Sequence, residues 1–145
     1  MNILFVCTGN TCRSPMCEGF FRKLIQDAHA GGIRCKSAGT CTCDGLPVSR
    51  NALTVMKSAG IDLANHRSSQ ISVMTASHRA AVLAQYPEVR SKTVLLSDFR
   101  SGTGGHADIA DPYGGSEAVY RNCFEEMKEP LQNLLLDTLK QQKST

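Results

Sequence analysis

The sequence predicts an α/β protein, a three-layer α/β/α sandwich around a central parallel four-stranded sheet. Three observations carry this. Ile3, Leu4, Phe5 and Val6 form a continuous apolar run, as in a strand covered on both faces. A helical pattern follows at once, with Met16, Phe20, Leu24 and Ala28 recurring every four residues. Short apolar runs then alternate with helical patterns along the chain, as parallel strands joined by helical crossovers require.

The first strand runs into Cys7-Thr8-Gly9-Asn10-Thr11-Cys12-Arg13-Ser14, and Pro15 suits the first position of a helix that Ser14 would cap. Gly31-Gly32 stops that helix, and Ile33 to Gly39 reads as a short alternating strand. Pro47 to Ala59 is the next helix, with Val48, Ala52, Val55 and Met56 on one face and Gly60 as its stop. A third strand rests on Ile71-Ser72-Val73 alone. Ala76 to Tyr86 is a helix stopped by Pro87, and Thr93 to Leu96 is the fourth strand. Ser101 to Gly105 is a glycine-rich loop, where moving, functional segments tend to lie. Ser116 caps a last helix whose apolar stripe is Val119, Cys123, Phe124, Met127, Leu131, Leu134 and Leu135. Pro130 is expected to kink or break it, and Lys140 to Thr145 to fray.

Bulk properties narrow the function. The 145 residues are expected to form one domain, residues 1–145, without repeat or linker. No apolar run approaches the ~18 residues of a membrane span, and a strand stands where a signal peptide would begin, so a cytoplasmic protein without membrane contact is expected. Seven cysteines, an odd number without scaffold spacing, fit a reducing compartment. A net charge of +3 with no arginine-rich patch favours phosphorylated partners over nucleic acid. Cys41-Thr42-Cys43, even with Cys35 and His106, lacks the spaced pairs of a zinc module, so neither metal nor cofactor is expected.

The turn after the first strand carries the chemistry. It joins the carboxyl end of a strand to the amino end of a helix, where unpaired N–H groups and the helix dipole favour an anion. Gly9 lets the backbone curl so that successive amides point inward as a nest. Arg13 adds a planar fork of donors matched to two oxygens of a phosphate-like anion. Cys7 sits under that positive field, which favours the nucleophilic sulfur anion, and Ser14 is placed to donate its hydroxyl to it.

Cys7, five residues, Arg13 and Ser14, set between strand and helix, resembles the low-molecular-weight protein-tyrosine phosphatase family. The string CTGNTCRSP is close to the bacterial branch that includes protein-arginine phosphatases. The resemblance implies that Cys7 is the nucleophile, that Arg13 and the amides of Thr8, Gly9, Asn10, Thr11 and Cys12 clamp the phosphate, and that Ser14 supports the sulfur. It further implies that Ser37 and His66 steady the loop through Asn10. Asp111, in Asp111-Pro112-Tyr113-Gly114-Gly115-Ser116, matches the family's general acid, whose proton transfer contributes typically ~10²–10⁴-fold. Taken alone, Asp-Pro is only a turn. Tyr113 would wall the pocket.

The chain departs from the family between Ser68-Ser69-Gln70 and Met74-Thr75. Relatives carry an acidic helix and a hydrophobic strand there; this chain has Ile71-Ser72-Val73, roughly a dozen residues fewer, beyond ordinary loop variation. Substrate preference turns on Thr11, because a hydroxyl at the entrance can accept from a guanidinium but gains nothing from a phenyl ring. Threonine resembles the arginine-directed members, as does Gly114-Gly115-Ser116. Phosphoarginine protein is therefore the first expectation and phosphotyrosine protein the runner-up. An arsenate reductase of similar fold and an inactive phosphate-binding module stay open. Against the reductase, no cysteine lies between Cys43 and Cys123 to relay a disulfide. Cys7 and Cys12 could pair as an oxidative switch, as in some relatives.

Overall fold

The rings of Phe5 and Phe21 meet edge to face, centroids 5.5 Å apart, and fix strand β1 (Asn2–Cys7) against helix α1 (Arg13–Asp27). The computed structural model describes residues 1–71, 78–102 and 107–143. Strand β2 (Arg34–Gly39) runs parallel to β1, in register from Asn2↔Arg34 to Cys7↔Gly39, so both strands end at one level. Pairing continues past that end, where Thr40 N donates to Cys7 O at 2.9 Å and Cys41 N to Thr8 O at 3.0 Å. The turn after β1 is thereby tied to the chain after β2.

Among the described residues the sheet has two strands, not four. Thr93 to Leu96 does not form the expected fourth strand. Val94 is exposed, and Leu96–Phe99 makes a single 3₁₀ turn in which the Asp98 carboxylate accepts from Leu95 N at 3.1 Å. Apolar residues form a strand only beside a strand to pair with, and here a local side-chain bond takes the backbone instead. Of the expected third strand, Ile71 to Val73, residues 72 and 73 lie outside the described residues. Gln70, just before it, bridges Gly39 in parallel, and Ile71 N donates to Gly39 O at 2.7 Å. Gln70 and Ile71 thus pair beside the end of β2.

The first strand is covered on one face only. Phe5 is buried against α1, but Leu4, which points the other way, is 54% exposed. The sequence expectation of burial on both faces fails at that residue, because no helix among the described residues covers it.

Helix α1 begins two residues earlier than expected, at Arg13 instead of Pro15, with no side-chain cap. The Ser14 hydroxyl is used elsewhere, as described below. Helix α2 (Arg50–Ser58) starts three residues later than the Pro47 expected, because Pro47 bridges Arg67 and Ser49 N donates to Thr11 O at 2.9 Å. Helix α3 (His78–Gln85) follows, the expected Ala76 and Ser77 lying outside the described residues. Helix α4 (Glu117–Lys143) contains Pro130 without a break and continues through Lys140 instead of fraying. Phe124, Met127, Leu131 and Leu135 are buried on both sides of the proline. At about 1.5–3 kcal/mol per buried side chain, they outweigh the ~3 kcal/mol of an interior proline. Val119 N lies 3.4 Å from Ser116 Oγ, the cap expected at the start of α4.

The core joins β1, α1, β2, α2 and α4, with Phe20 and Phe124 edge to face at 5.4 Å. Among the described residues no helix is long and apolar enough to cross a membrane.

Candidate active site

Cys7 closes β1 and is buried at the floor of the turn that follows. The turn curls because Asn10 takes a positive φ of 51°; the left-handed residue expected at Gly9 falls on Asn10 instead, where buried hydrogen bonds hold it. That brings Asn10 N to 3.3 Å from Cys7 Sγ as a donor. Ser14 Oγ lies 3.0 Å from the same sulfur. The hydroxyl's other acceptor, Ala38 O, is farther at 3.4 Å. An anion on Cys7 would therefore meet a backbone N–H and a hydroxyl. Gly39 permits the close approach: a Cβ there would stand 2.6 Å from Thr8 O and 2.9 Å from Thr42 Cγ2.

The fully buried Asn10 side chain holds the curl from below. Its Nδ2 donates to Ser14 Oγ at 2.8 Å and to Ser37 Oγ at 2.9 Å, while its Oδ1 accepts from Ser69 N at 2.9 Å. Ser37 passes its own proton to Glu18 Oε2 at 2.6 Å, and Glu18 is ion-paired with Arg22. Every polar atom in this chain of bonds has a partner, as a buried network must.

His66 joins from the far side, its Nδ1 3.7 Å from Glu18 Oε2. The family resemblance implies a contact with Asn10, and the Asn10 backbone, not its side-chain amide, acts on the ring; the amide is held by three serines, and His66 Nε2 is buried with no side-chain partner among the described residues. Burial lowers the His66 pKa, against the Glu18 carboxylate and the Asn10 backbone, which favour the charged ring.

Arg13 opens α1 and aims across the turn. Its Nη2 lies 2.8 Å from Asp111 Oδ2 and its Nη1 donates to Ile109 O at 3.2 Å. Its Nε is buried and has no partner among the described residues. Asp111 is held by its own loop: Oδ1 accepts from Tyr113 N at 3.2 Å, and Gly115 N donates to Pro112 O at 2.9 Å. Helix α2 braces that loop, since Asn51 Nδ2 donates to Gly115 O at 2.9 Å.

Cys7, Thr8, Gly9, Thr11, Cys12, Arg13, Asp111 and Tyr113 line one cleft of about 510 Å³, with Cys41, Thr42, Cys43 and Leu46 completing its wall. Asn10, Ser14 and Ser37 lie buried behind it. Tyr113 stands 77% exposed at the mouth, so it is an edge to the cleft more than a closed wall. Ser37 and His66 line a second cleft of about 470 Å³ on the opposite side of the network.

Cys12 is buried with its sulfur 3.1 Å from Tyr120 Oη, 3.5 Å from Ser49 Oγ and 3.6 Å from Thr11 Oγ1. Burial and this contact push the Tyr120 hydroxyl up to about 12. Burial likewise raises the thiols of Cys35 to about 11 and Cys123 to about 12, and raises Cys17 further, leaving these three unreactive. Cys41 and Cys43 are exposed, His106 lies outside the described residues, and among the described residues no three His, Cys, Asp or Glu side chains gather to hold a metal ion.

Sequence reasoning missed Glu18, Tyr120 and His78, whose Nε2 lies 2.7 Å from Thr8 Oγ1. Glu18 left a signal, a carboxylate inside a buried stretch of α1. The other two left none.

A curled turn with a buried sulfur at its floor, an arginine fork and a carboxylate facing each other across one cleft defines a cysteine-based oxyanion site. The family model described as low molecular weight phosphotyrosine protein phosphatase matches residues 2–145. A protein-arginine-phosphatase of Geobacillus stearothermophilus is 41% identical over 143 residues, covering 91% of this chain and 92% of the relative. The solved YwlE arginine phosphatase from Geobacillus stearothermophilus superposes with a TM-score of 0.83 at 38% identity, covering 99% of this chain and 96% of the other. The C7S mutant of YwlE arginine phosphatase with a phosphorylated active-site serine superposes with a TM-score of 0.86 at 31% identity, covering 97% of each chain. The chain belongs to the low-molecular-weight phosphotyrosine protein phosphatase family.

Proposed function

We propose that this protein is a cytoplasmic protein phosphatase that works through a phosphocysteine on Cys7, with phosphoarginine as its preferred substrate. The convergence of Cys7, the Arg13 fork and the Asp111 carboxyl on one cleft carries the reading.

The Cys7 sulfur attacks phosphorus in line with the leaving group. Arg13 and the inward loop amides take the equatorial oxygens, whose charge grows in the transition state. An entering phosphate competes with Asp111 for the Arg13 fork and so releases the carboxylate, which takes up a proton from solvent and, as the acid, delivers it to the departing nitrogen or oxygen. Asp111 then takes a proton from water as it attacks the phosphocysteine, and Cys7 is regenerated as its thiolate. The phosphorylated serine in the YwlE relative supports a covalent step at the matching residue.

Thr11 lines the cleft and offers a hydroxyl oxygen where a guanidinium would arrive. The likeness to an arginine phosphatase at 41% identity supports that choice. Phosphotyrosine is the second reading, favoured by the apolar reach of Leu46 and Tyr113 along the same cleft. The seven free thiols support a reducing, cytoplasmic setting. Steady-state rates on phosphoarginine and phosphotyrosine decide between substrates. Absence of phosphate release from both, and from a generic aryl phosphate, would leave only a binding module.

A further inference from the structure

Thr8 begins the curl and lines the cleft, and its hydroxyl meets an imidazole from another element. His78, the first residue of α3, places Nε2 2.7 Å from Thr8 Oγ1. His78 is not among the cleft-lining residues, so its influence on a bound substrate passes through Thr8. Three charges face the ring: the Arg13 guanidinium from α1, and the carboxylates of Asp108 and Asp111 from the segment before α4. Burial and Arg13 hold the ring below the ordinary histidine range, against the pull of the two carboxylates. Helix α3 packs chiefly on the 3₁₀ turn Pro87–Lys92, so the contact with Thr8 joins that outlying unit to the loop.

We propose that His78 is a positioning residue for phosphoryl transfer: its imidazole fixes the Thr8 side chain at the mouth of the anion loop, beside the Arg13–Asp111 pair. The proposal rests on the phosphatase reading of the cleft. Donors that must meet a phosphoryl oxygen act best when held before the substrate arrives, and Thr8 opens the loop that lines the cleft. A neutral ring can donate to the hydroxyl or accept from it without disturbing Arg13. A protonated ring would set a second cation beside Arg13 and draw the Asp111 carboxylate toward itself. Activity on the acid side therefore contains a fall that belongs to His78.

The test is steady-state hydrolysis of p-nitrophenyl phosphate from about pH 5 to 8 by wild type, His78→Ala, His78→Gln, Thr8→Val and the double variant His78→Ala/Thr8→Val. His78→Ala and Thr8→Val are each expected to lower kcat/KM roughly three- to tenfold, the scale of one hydrogen bond, and the double variant no further. His78→Gln keeps a bond to the hydroxyl but cannot titrate. It should stay within about twofold of wild type near neutrality and lose less activity toward low pH. Losses that multiply in the double variant overturn the proposal. A His78→Gln profile overlying wild type does so as well, and needs no folded alanine variant. Wild type without turnover would instead remove the phosphatase reading beneath it.

Discussion

Arg13 and Asp111 face each other at 2.8 Å across the cleft, the guanidinium 17% and the carboxylate 47% exposed. In the proposed mechanism one fork serves two partners in turn, the carboxylate before substrate and the phosphate after. Asp111→Asn removes both a proton donor and a competing anion. It is expected to lower kcat on phosphoarginine by roughly 10²–10⁴-fold while tightening inhibition by inorganic phosphate. A fall in kcat with weaker phosphate binding would mean that Asp111 organises Arg13 instead of competing for it.

Thr11→Ile exchanges the hydroxyl for an apolar branch at the entrance. The ratio of kcat/KM on phosphoarginine to that on phosphotyrosine should drop, by roughly 10-fold or more if the hydroxyl is hydrogen-bonded to the guanidinium. An unchanged ratio removes Thr11 from the specificity argument.

Asn10→Ala strands Ser69 N and takes a donor from each of Ser14 and Ser37, all at a residue with φ of 51°. A loss of about 2–4 kcal/mol in unfolding free energy is expected, read by denaturant titration, with phosphate affinity falling in parallel. Asn10→Asp, which keeps the acceptor for Ser69 N, should recover part of the stability.

Gly39→Ala would drive a methyl to 2.6 Å from the Thr8 carbonyl oxygen, a main-chain atom that cannot swing aside. The loop must shift, so kcat/KM should fall by roughly 10²-fold, the cost of a misplaced site, while the far-UV circular dichroism stays that of the parent. Full activity in this variant would show that the curl tolerates movement the geometry denies it.

His66 and His78 both lie below the ordinary histidine pKa, burial being the largest cause for each. Above about 6.5 folded and unfolded chains hold both rings neutral, so their contribution to stability is flat. Below that value the unfolded chain binds protons that the folded chain refuses, and stability falls as pH falls. The urea midpoint should therefore decline on the acid side of ~6.5, and His66→Gln should remove part of the decline.

The turn from Cys7 to Ser14 was legible because its logic is local: a strand end, a cysteine, an arginine and a helix start within one short stretch, although Asn10 and not Gly9 takes the positive φ. The exposed Leu4 and the 3₁₀ turn at Leu96–Phe99 were not. Whether an apolar run becomes a buried strand depends on a neighbour elsewhere in the chain, and Asp98 settles the turn by a bond invisible to periodicity. Ser14 shows the same limit on a smaller scale. It has the chemistry of a helix cap, yet the sulfur of Cys7 and the amide of Asn10 claim its hydroxyl. His66 was expected on Asn10; it lies beside Glu18 and feels the Asn10 backbone, while three serines hold the Asn10 side-chain amide.

The most direct measurement is intact-mass and peptide mapping of the protein quenched during turnover of an aryl phosphate, in the Asp111→Ala background, where loss of the general base slows hydrolysis of the intermediate. The prediction is one phosphoryl group on Cys7, and none, with no turnover, when Cys7 is replaced by alanine. Phosphate release that persists in Cys7→Ala would contradict the whole account.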